Sequence, residues 1–195
     1  MRSTADILVR PVRKEDFDDL RATYFQLYDE RDSGESIGIT LFATRPTVDD
    51  EAVWFDRMMH RVLEGDEIFL VAEVDGHVVG SCSIDRVGAG PSSEQAHVGE
   101  LGILVRKGTR GKGVGTALLE RSLAEARSRF ELVYLTVFSQ NQGAQRLYRR
   151  FGFSVCGHLP RVVKRGGQYF DEERMVLDFG TSKDPVKVHR GEARS

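Results

Sequence analysis

One short segment constrains this chain more than any other: Ile103-Leu104-Val105-Arg106-Lys107-Gly108-Thr109-Arg110-Gly111-Lys112-Gly113-Val114-Gly115-Thr116, where an aliphatic run ends and glycines alternate into a helical pattern. Such a strand-turn-helix joint suits an anion. Glycines at 111, 113 and 115 remove side chains, so successive backbone N–H groups can converge at the positive end of a helix dipole. Arg110 and Lys112 add local charge. The spacing argues against two familiar phosphate sites. A nucleotide P-loop needs GxxxxGK followed by Ser or Thr, whereas Lys112 is followed by Gly113. A dinucleotide site needs GxGxxG after the first strand of a βαβ unit, with an acidic residue ending the next strand. Here the turn reads GxGxG, follows a predicted hairpin, and the next strand ends in Phe138-Ser139. The third explanation is a cradle for the pyrophosphate of coenzyme A.

The surrounding pattern alternates strands and helices. Ile7–Val12 reads as a strand, and Phe17, Leu20, Tyr24 and Leu27 fall at helical spacing after it. Residues 29–46 read as a loop, and a loop that long is expected to serve function. Thr47 before Val48-Asp49-Asp50-Glu51 signals the start of a second helix running to about Glu64. Phe69–Val74 and His77–Ile84 flank Asp75-Gly76, which favours a tight hairpin. His97–Val105 is a further strand, with Glu100 and Leu101 in its middle. Gly113 to about Phe130 is a helix with Leu119, Leu123, Ala126 and Phe130 on one stripe. Leu132–Phe138 is a β-rich run, and Ser139–Phe151 is helical with Ser139 and Gln142 spaced as a capping box. The turn at 160–168 leads to a last strand, Phe170–Phe179. The expected organisation is one domain over residues 1–179, with a polar tail over 180–195.

Arg110-Gly111-Lys112-Gly113-Val114-Gly115, after the strand Leu101–Val105, resembles the (Q/R)xxGx(G/A) signature of the GNAT acetyltransferase superfamily. About 26 residues beyond Gly115, the segment Asn141–Phe153 resembles its second motif: an Asn, a helix carrying Ala and Tyr, then Gly-Phe. The resemblance spans roughly Ile7–Asp178, resting on element order alone before residue 66. Gly167–Asp171, with Met175 and Leu177, is more weakly similar to the end of the family's small-amine branch. The fold this implies is α/β: a GNAT-like mixed, mostly antiparallel twisted sheet of about six or seven strands. About four helices cover both faces, and splayed central strands form the cofactor cleft.

The resemblance implies an N-acetyltransferase moving an acetyl group from acetyl-CoA to a primary amine, on a small molecule or a protein, by direct transfer in a ternary complex. The competing class is a non-catalytic acyl-CoA-binding or sensing module. In the implied arrangement Ile103, Leu104 and Val105 line the pantetheine arm, with the backbone of Ile103 and Val105 bonding it as a pseudo-strand. The same residues also read as an ordinary buried strand. Arg110, Gly111, Lys112, Gly113, Val114, Gly115 and Thr116 hold the diphosphate. Asn141 either bonds the pantetheine or simply caps its helix. Ala144 and Tyr148 lie four apart on one helical face. Tyr148 is placed to protonate the leaving thiolate, or else packs beside Leu147 and Phe151.

A free alkyl amine, with a pKa of about 10, is mostly protonated at neutral pH, so a base is required. Glu100 is the first candidate, directly or through water, its pKa raised by a partly apolar cleft. Its other reading is a surface carboxylate at a strand edge, and His97 is the substitute base. Asp171-Glu172-Glu173 reads as a solvated face or as an attractor of cations.

With 28 basic and 30 acidic residues the net charge is -2, which gives no global field for nucleic acid or an anionic membrane. No apolar run nears the roughly 20 residues that span a bilayer, and MRSTADILVR lacks a signal-like apolar stretch, so the cytoplasm is the expected address. Cys82 and Cys156 form no CxxC pair, and the five histidines show no HxxxH spacing, so no metal is expected. Without a GxSxG turn, covalent acyl-enzyme chemistry is disfavoured. A homodimer is compatible with all of this.

Overall fold

A computed structural model describes residues 6–35, 37–88 and 90–180; the expected polar tail, from 181 on, lies outside the described residues. The elements are β1 (Leu8–Pro11), α1 (Phe17–Asp32), α2 (Val48–Glu64), β2 (Glu67–Val74), β3 (His77–Arg86) and β4 (Val98–Val105). They continue with α3 (Val114–Ala126), β5 (Leu132–Phe138), α4 (Gln142–Arg150), β6 (Ser154–Arg165) and β7 (Gln168–Asp178). Seven strands form one sheet in the order β1-β2-β3-β4-β5-β7-β6. Every neighbouring pair is antiparallel except β4 and β5.

Local chemistry explains the boundaries. α2 starts at a reciprocal cap in which Thr47 Oγ1 accepts from Asp50 N–H at 3.1 Å and the Asp50 carboxylate accepts from Thr47 N–H at 2.9 Å. It stops at Gly65, whose φ of 82° is left-handed. Asp75 and Gly76, both at positive φ, turn β2 into β3 as the dipeptide predicts. β2 is an unbroken apolar run because both of its faces are covered. Leu70 and Ala72 face α3, where they meet Leu118, Leu119 and Leu123. Phe69 and Val71 face the opposite layer, where they meet Phe55 and Met58 of α2 and Leu20 of α1. Among the described residues, no helix is long and apolar enough to cross a membrane.

Four elements differ from the sequence-based expectation, the first being α1, which continues to Asp32 into the segment expected as loop from 29. α3 ends at Ala126 rather than Phe130. α4 is capped by Asn141, whose side chain accepts from Ala144 N–H at 3.1 Å; Ser139 and Gln142 form no capping box, and Ser139 instead hydrogen-bonds Glu173. The segment expected to begin a turn at 160 belongs to a twelve-residue strand, β6, and the turn is confined to Gly166-Gly167. β6 is an exposed edge whose register with β7 shifts twice. It therefore shows no apolar alternation and tolerates Pro160, which cannot donate to a ladder.

The feature that positions the site is a fork. β4 and β5 pair only at Val98↔Leu132, Gly99↔Val133 and Glu100↔Tyr134. β4 then stays with β3 as far as Val105↔Gly80, while β5 stays with β7 as far as Phe138↔Glu172. At the base of the fork a Cβ on Gly99 would lie 2.6 Å from Ile84 Cγ2 and 3.3 Å from the Phe130 ring. Gly99→Val should therefore overpack the base and cost about 1–3 kcal/mol, seen as a lower urea midpoint at unchanged slope. A midpoint equal to the parent's would contradict this packing.

Candidate active site

The open part of β4 presents backbone to the gap. His97 C=O accepts from Glu131 and Leu132 N–H on the β5 side, whereas Val98 C=O accepts from Val87 N–H and Arg106 N–H donates to Val79 C=O on the β3 side. Alternation along the strand then aims the N–H and C=O groups of Ile103 and Val105 into the fork. A cavity of about 360 Å³ lies there, bounded by Ile103, Leu104, Val105 and Arg110 on one side and by Phe138, Gln140 and Asn141 on the other. A second cavity, of about 1000 Å³, lies over the α2 face of the sheet and shares Ile39, Ile103 and Leu104 with the first.

At the end of β4 the glycine turn is bent as its sequence requires. Gly111 and Gly113 have φ values of 75° and 91°, which other residues adopt only with strain. The first helical bond of α3 runs from Ala117 N–H to Gly113 C=O, so Val114, Gly115 and Thr116 N–H have no partner within the helix. Gly115 has no such demand: it is helical, and a Cβ there would make only ordinary contact with Leu147 and Ile103. Val114 buries its side chain in the core, leaving only its backbone for the turn.

Arg110 departs from the expectation that it adds free charge. Its guanidinium forks onto Glu30 of α1 at 2.6 and 2.9 Å, and its Nε donates to Val105 C=O at 2.8 Å. Glu30 is only 4% exposed, so the pair is a tie between α1 and the turn. The Val105 carbonyl is thereby occupied, leaving the Val105 N–H and both Ile103 groups facing the fork. Lys112 is the exposed cation of the turn, and Arg150 of α4 reaches it by donating to Thr116 Oγ1 at 3.5 Å. Sequence reasoning passed over both Glu30 and Arg150, since neither belongs to the glycine motif.

Residues 37–39 cross the mouth of the fork. Arg165 at the end of β6 donates to Ile37 C=O at 3.2 Å and Ile39 C=O at 2.7 Å, with its guanidinium over the Phe138 and Phe170 rings. A side chain at Gly38 in this strap would press on the Asn141 amide and displace it.

The candidate acid and bases are spread around the fork. Tyr148 is 6% exposed, lies edge-on to Phe153 and is absent from the walls of both cavities. Burial, with the Cys82 thiol nearby, holds its phenol well above the ordinary range. Ala144, one turn earlier, is half-buried against the same core. Glu100 stands on the last paired rung, accepting from Tyr134 Oη at 2.9 Å; burial, then this bond, push the Tyr134 phenol up to about 12. Its carboxylate is exposed rather than set among apolar groups, two residues from Gly102 in the wall of the large cavity. His97 is exposed beyond the closed end of the fork. The acidic run has partners of its own: Asp171 accepts from Arg161 N–H, Glu172 from Thr40, and Glu173 contacts His158 and Ser139.

A forked, mostly antiparallel sheet with orphan amides beside the fork is an acyltransferase scaffold of the kind the two motifs imply. The chain belongs to the GNAT acetyltransferase family, whose model matches residues 15–153. It is 32% identical over 109 residues to the L-amino acid N-acetyltransferase AaaT of Escherichia coli, covering 55% of this chain and 65% of that protein, just under two thirds. It is also 32% identical over 141 residues to the L-amino acid N-acyltransferase MnaT of the same organism, covering 72% of this chain and 78% of that one. A crystal structure of a GNAT superfamily phosphinothricin acetyltransferase from Sinorhizobium meliloti in complex with AcCoA matches with a TM-score of 0.74 at 20% identity, over 97% of this chain and 99% of that one. The expected fold class, family and N-acetyltransferase class are borne out.

The Arg110–Glu30 tie can be tested by a double-mutant cycle. Glu30→Ala leaves a cation unpaired, but Arg110 is 39% exposed, so the loss should be on the order of 2 kcal/mol rather than that of a fully buried pair. Adding Arg110→Ala should cost less than it does alone. Strictly additive urea midpoints would contradict the coupling.

Proposed function

We propose that the protein acetylates the primary amine of a small, amino acid-like acceptor, using acetyl-CoA in a ternary complex. The observation that carries this reading is the meeting of two cavities along the unpaired part of β4, at Ile39, Ile103 and Leu104. One extends to Val105 and Arg110 at the start of the glycine turn, and the other opens over the α2 layer. The AaaT and MnaT relatives, named for L-amino acids, support the acceptor class. So does Arg57 on the cavity wall, an exposed cation with no ion pair among the described residues, available to a carboxylate.

The residues present fit a coenzyme A diphosphate: left-handed Gly111 and Gly113 shape the turn, Val114, Gly115 and Thr116 offer free N–H groups, and Lys112 adds charge. Ile103 and Val105 N–H, with Ile103 C=O, hold the pantetheine as a partial strand. Bound acetyl-CoA would supply an acyl carbon already activated as a thioester. Glu100 takes the amine's proton through water, bridging the two residues to Gly102. As nitrogen bonds to the carbonyl carbon and the C–S bond breaks, the electron pair stays on sulfur. Tyr148, which is buried and lines neither cavity of the ligand-free chain, is assigned to donate a hydrogen bond to it once the pantetheine opens a path past Ala144. Because burial disfavours the tyrosinate, Tyr148 stabilises the thiolate by that bond instead of surrendering its proton.

Thiol release from acetyl-CoA with a panel of amino acids checks this directly. Tyr148→Phe should lower kcat roughly tenfold or more at unchanged acetyl-CoA affinity. Glu100→Gln should lower kcat/KM about a hundredfold. Gly113→Asp should instead abolish acetyl-CoA binding, by straining the turn and setting a carboxylate against phosphate. Acetyl-CoA binding without thiol release for any amine would favour the non-catalytic module.

A further inference from the structure

The large cavity contains a carboxylate that the proposed chemistry leaves unused. Glu51, in the first turn of α2, lines the cavity yet is only 8% exposed, and among the described residues its side chain makes no hydrogen bond or ion pair. Its neighbour Asp50 is already spent on the cap with Thr47. The cavity's two arginines do not answer it. Arg45 pairs with Asp29 and stacks on Phe25 with its guanidinium 4.3 Å from the ring centre. Arg57 stands six residues further along the helix, about 9 Å away along the axis. A buried carboxylate without a partner is costly, and burial indeed lifts the Glu51 pKa. Glu51 also lies close enough to Tyr24 to help raise that phenol. Tyr24 lines the same cavity, whose wall also includes Ile103 and Leu104 of β4.

Leu20, Ile39, Phe42, Val53, Trp54 and Phe69 supply apolar wall beside the polar Thr40, Thr44, Ser81 and Ser83. Trp54 stands edge-on over Phe69 and remains 45% exposed, and Phe42, from the loop after the strap, is 71% exposed. Large hydrophobic side chains facing one basin of about 1000 Å³ leave apolar surface for an occupant to cover. We propose that Glu51 receives the acceptor's ammonium group and that the acceptor carries an aromatic or comparably large apolar body, seated against Trp54 and Phe42. This rests on the cavity being the acceptor site. Within it, Glu51 is a specificity residue that presents the amine toward Ile103 and Leu104.

The test is direct binding by calorimetry of three probes: 2-phenylethylamine, ethylamine and 2-phenylethanol, with acetyl-CoA titrated in parallel. The native chain should bind 2-phenylethylamine at least tenfold more tightly than either ethylamine, which lacks the body, or 2-phenylethanol, which lacks the charge. Glu51→Gln should erase the advantage over the alcohol, and Trp54→Ala the advantage over ethylamine, both with acetyl-CoA affinity unchanged. If Glu51→Gln fails to fold, Glu51→Asp decides, because it keeps the charge and should keep the preference for the amine over the alcohol. Equal binding of amine and alcohol by the native chain, or 2-phenylethylamine binding within twofold of native in Glu51→Gln, would overturn the assignment. Loss of acetyl-CoA binding by the native chain would instead strike the proposed reaction, while the amine titrations still judged Glu51.

Discussion

Everything distinctive in this molecule follows from the separation of β4 and β5 after the Glu100–Tyr134 rung. A strand inside a sheet normally spends its backbone groups on both neighbours, and a buried group left unpaired is costly. Beyond Glu100, β4 keeps β3 on one side and loses β5 on the other, so the polar groups of Ile103 and Val105 face a gap. The sheet thus carries an unfinished edge in its interior. An extended, amide-bearing chain can complete it, which is what a pantetheine arm offers.

The open fork needs walls that hold still. On one side Arg110 ties the glycine turn to α1 through the buried Glu30, and it also takes the Val105 carbonyl, leaving fewer groups for a ligand to satisfy. Across the mouth Arg165 holds the strap at Ile37 and Ile39 while packing on Phe138 and Phe170. Both devices are charge-assisted bonds from an arginine to a group that would otherwise lack a partner. The second holds Ile39, which lines both cavities.

The parts of this arrangement written in local sequence were legible without coordinates. The turn at Gly111 and Gly113 is a backbone demand, and Asp75-Gly76 and the Thr47 cap are equally local, so residue type alone announces them. What the sequence concealed depends on partners far away along the chain. Arg110 looks like a phosphate ligand until Glu30, eighty residues earlier, is seen to neutralise it. Glu100 reads as a carboxylate in an apolar cleft until Tyr134 and solvent are found beside it. β6 has no apolar alternation because it lies on an edge, so its residues carry no periodic signal. Glu51 sits in an unremarkable acidic first turn, and only burial beside a cavity sets it apart from Asp49 and Asp50.

The central claim is that the unpaired amides of the fork and of the α3 terminus are the groups that acetyl-CoA completes. Amide hydrogen exchange, resolved by residue with and without acetyl-CoA, measures this most directly. Ile103, Val105, Gly115 and Thr116 N–H should all become strongly protected on adding the ligand, while amides already paired in β2 and β3 change little. Exchange at those four positions unaltered by saturating acetyl-CoA would contradict the account.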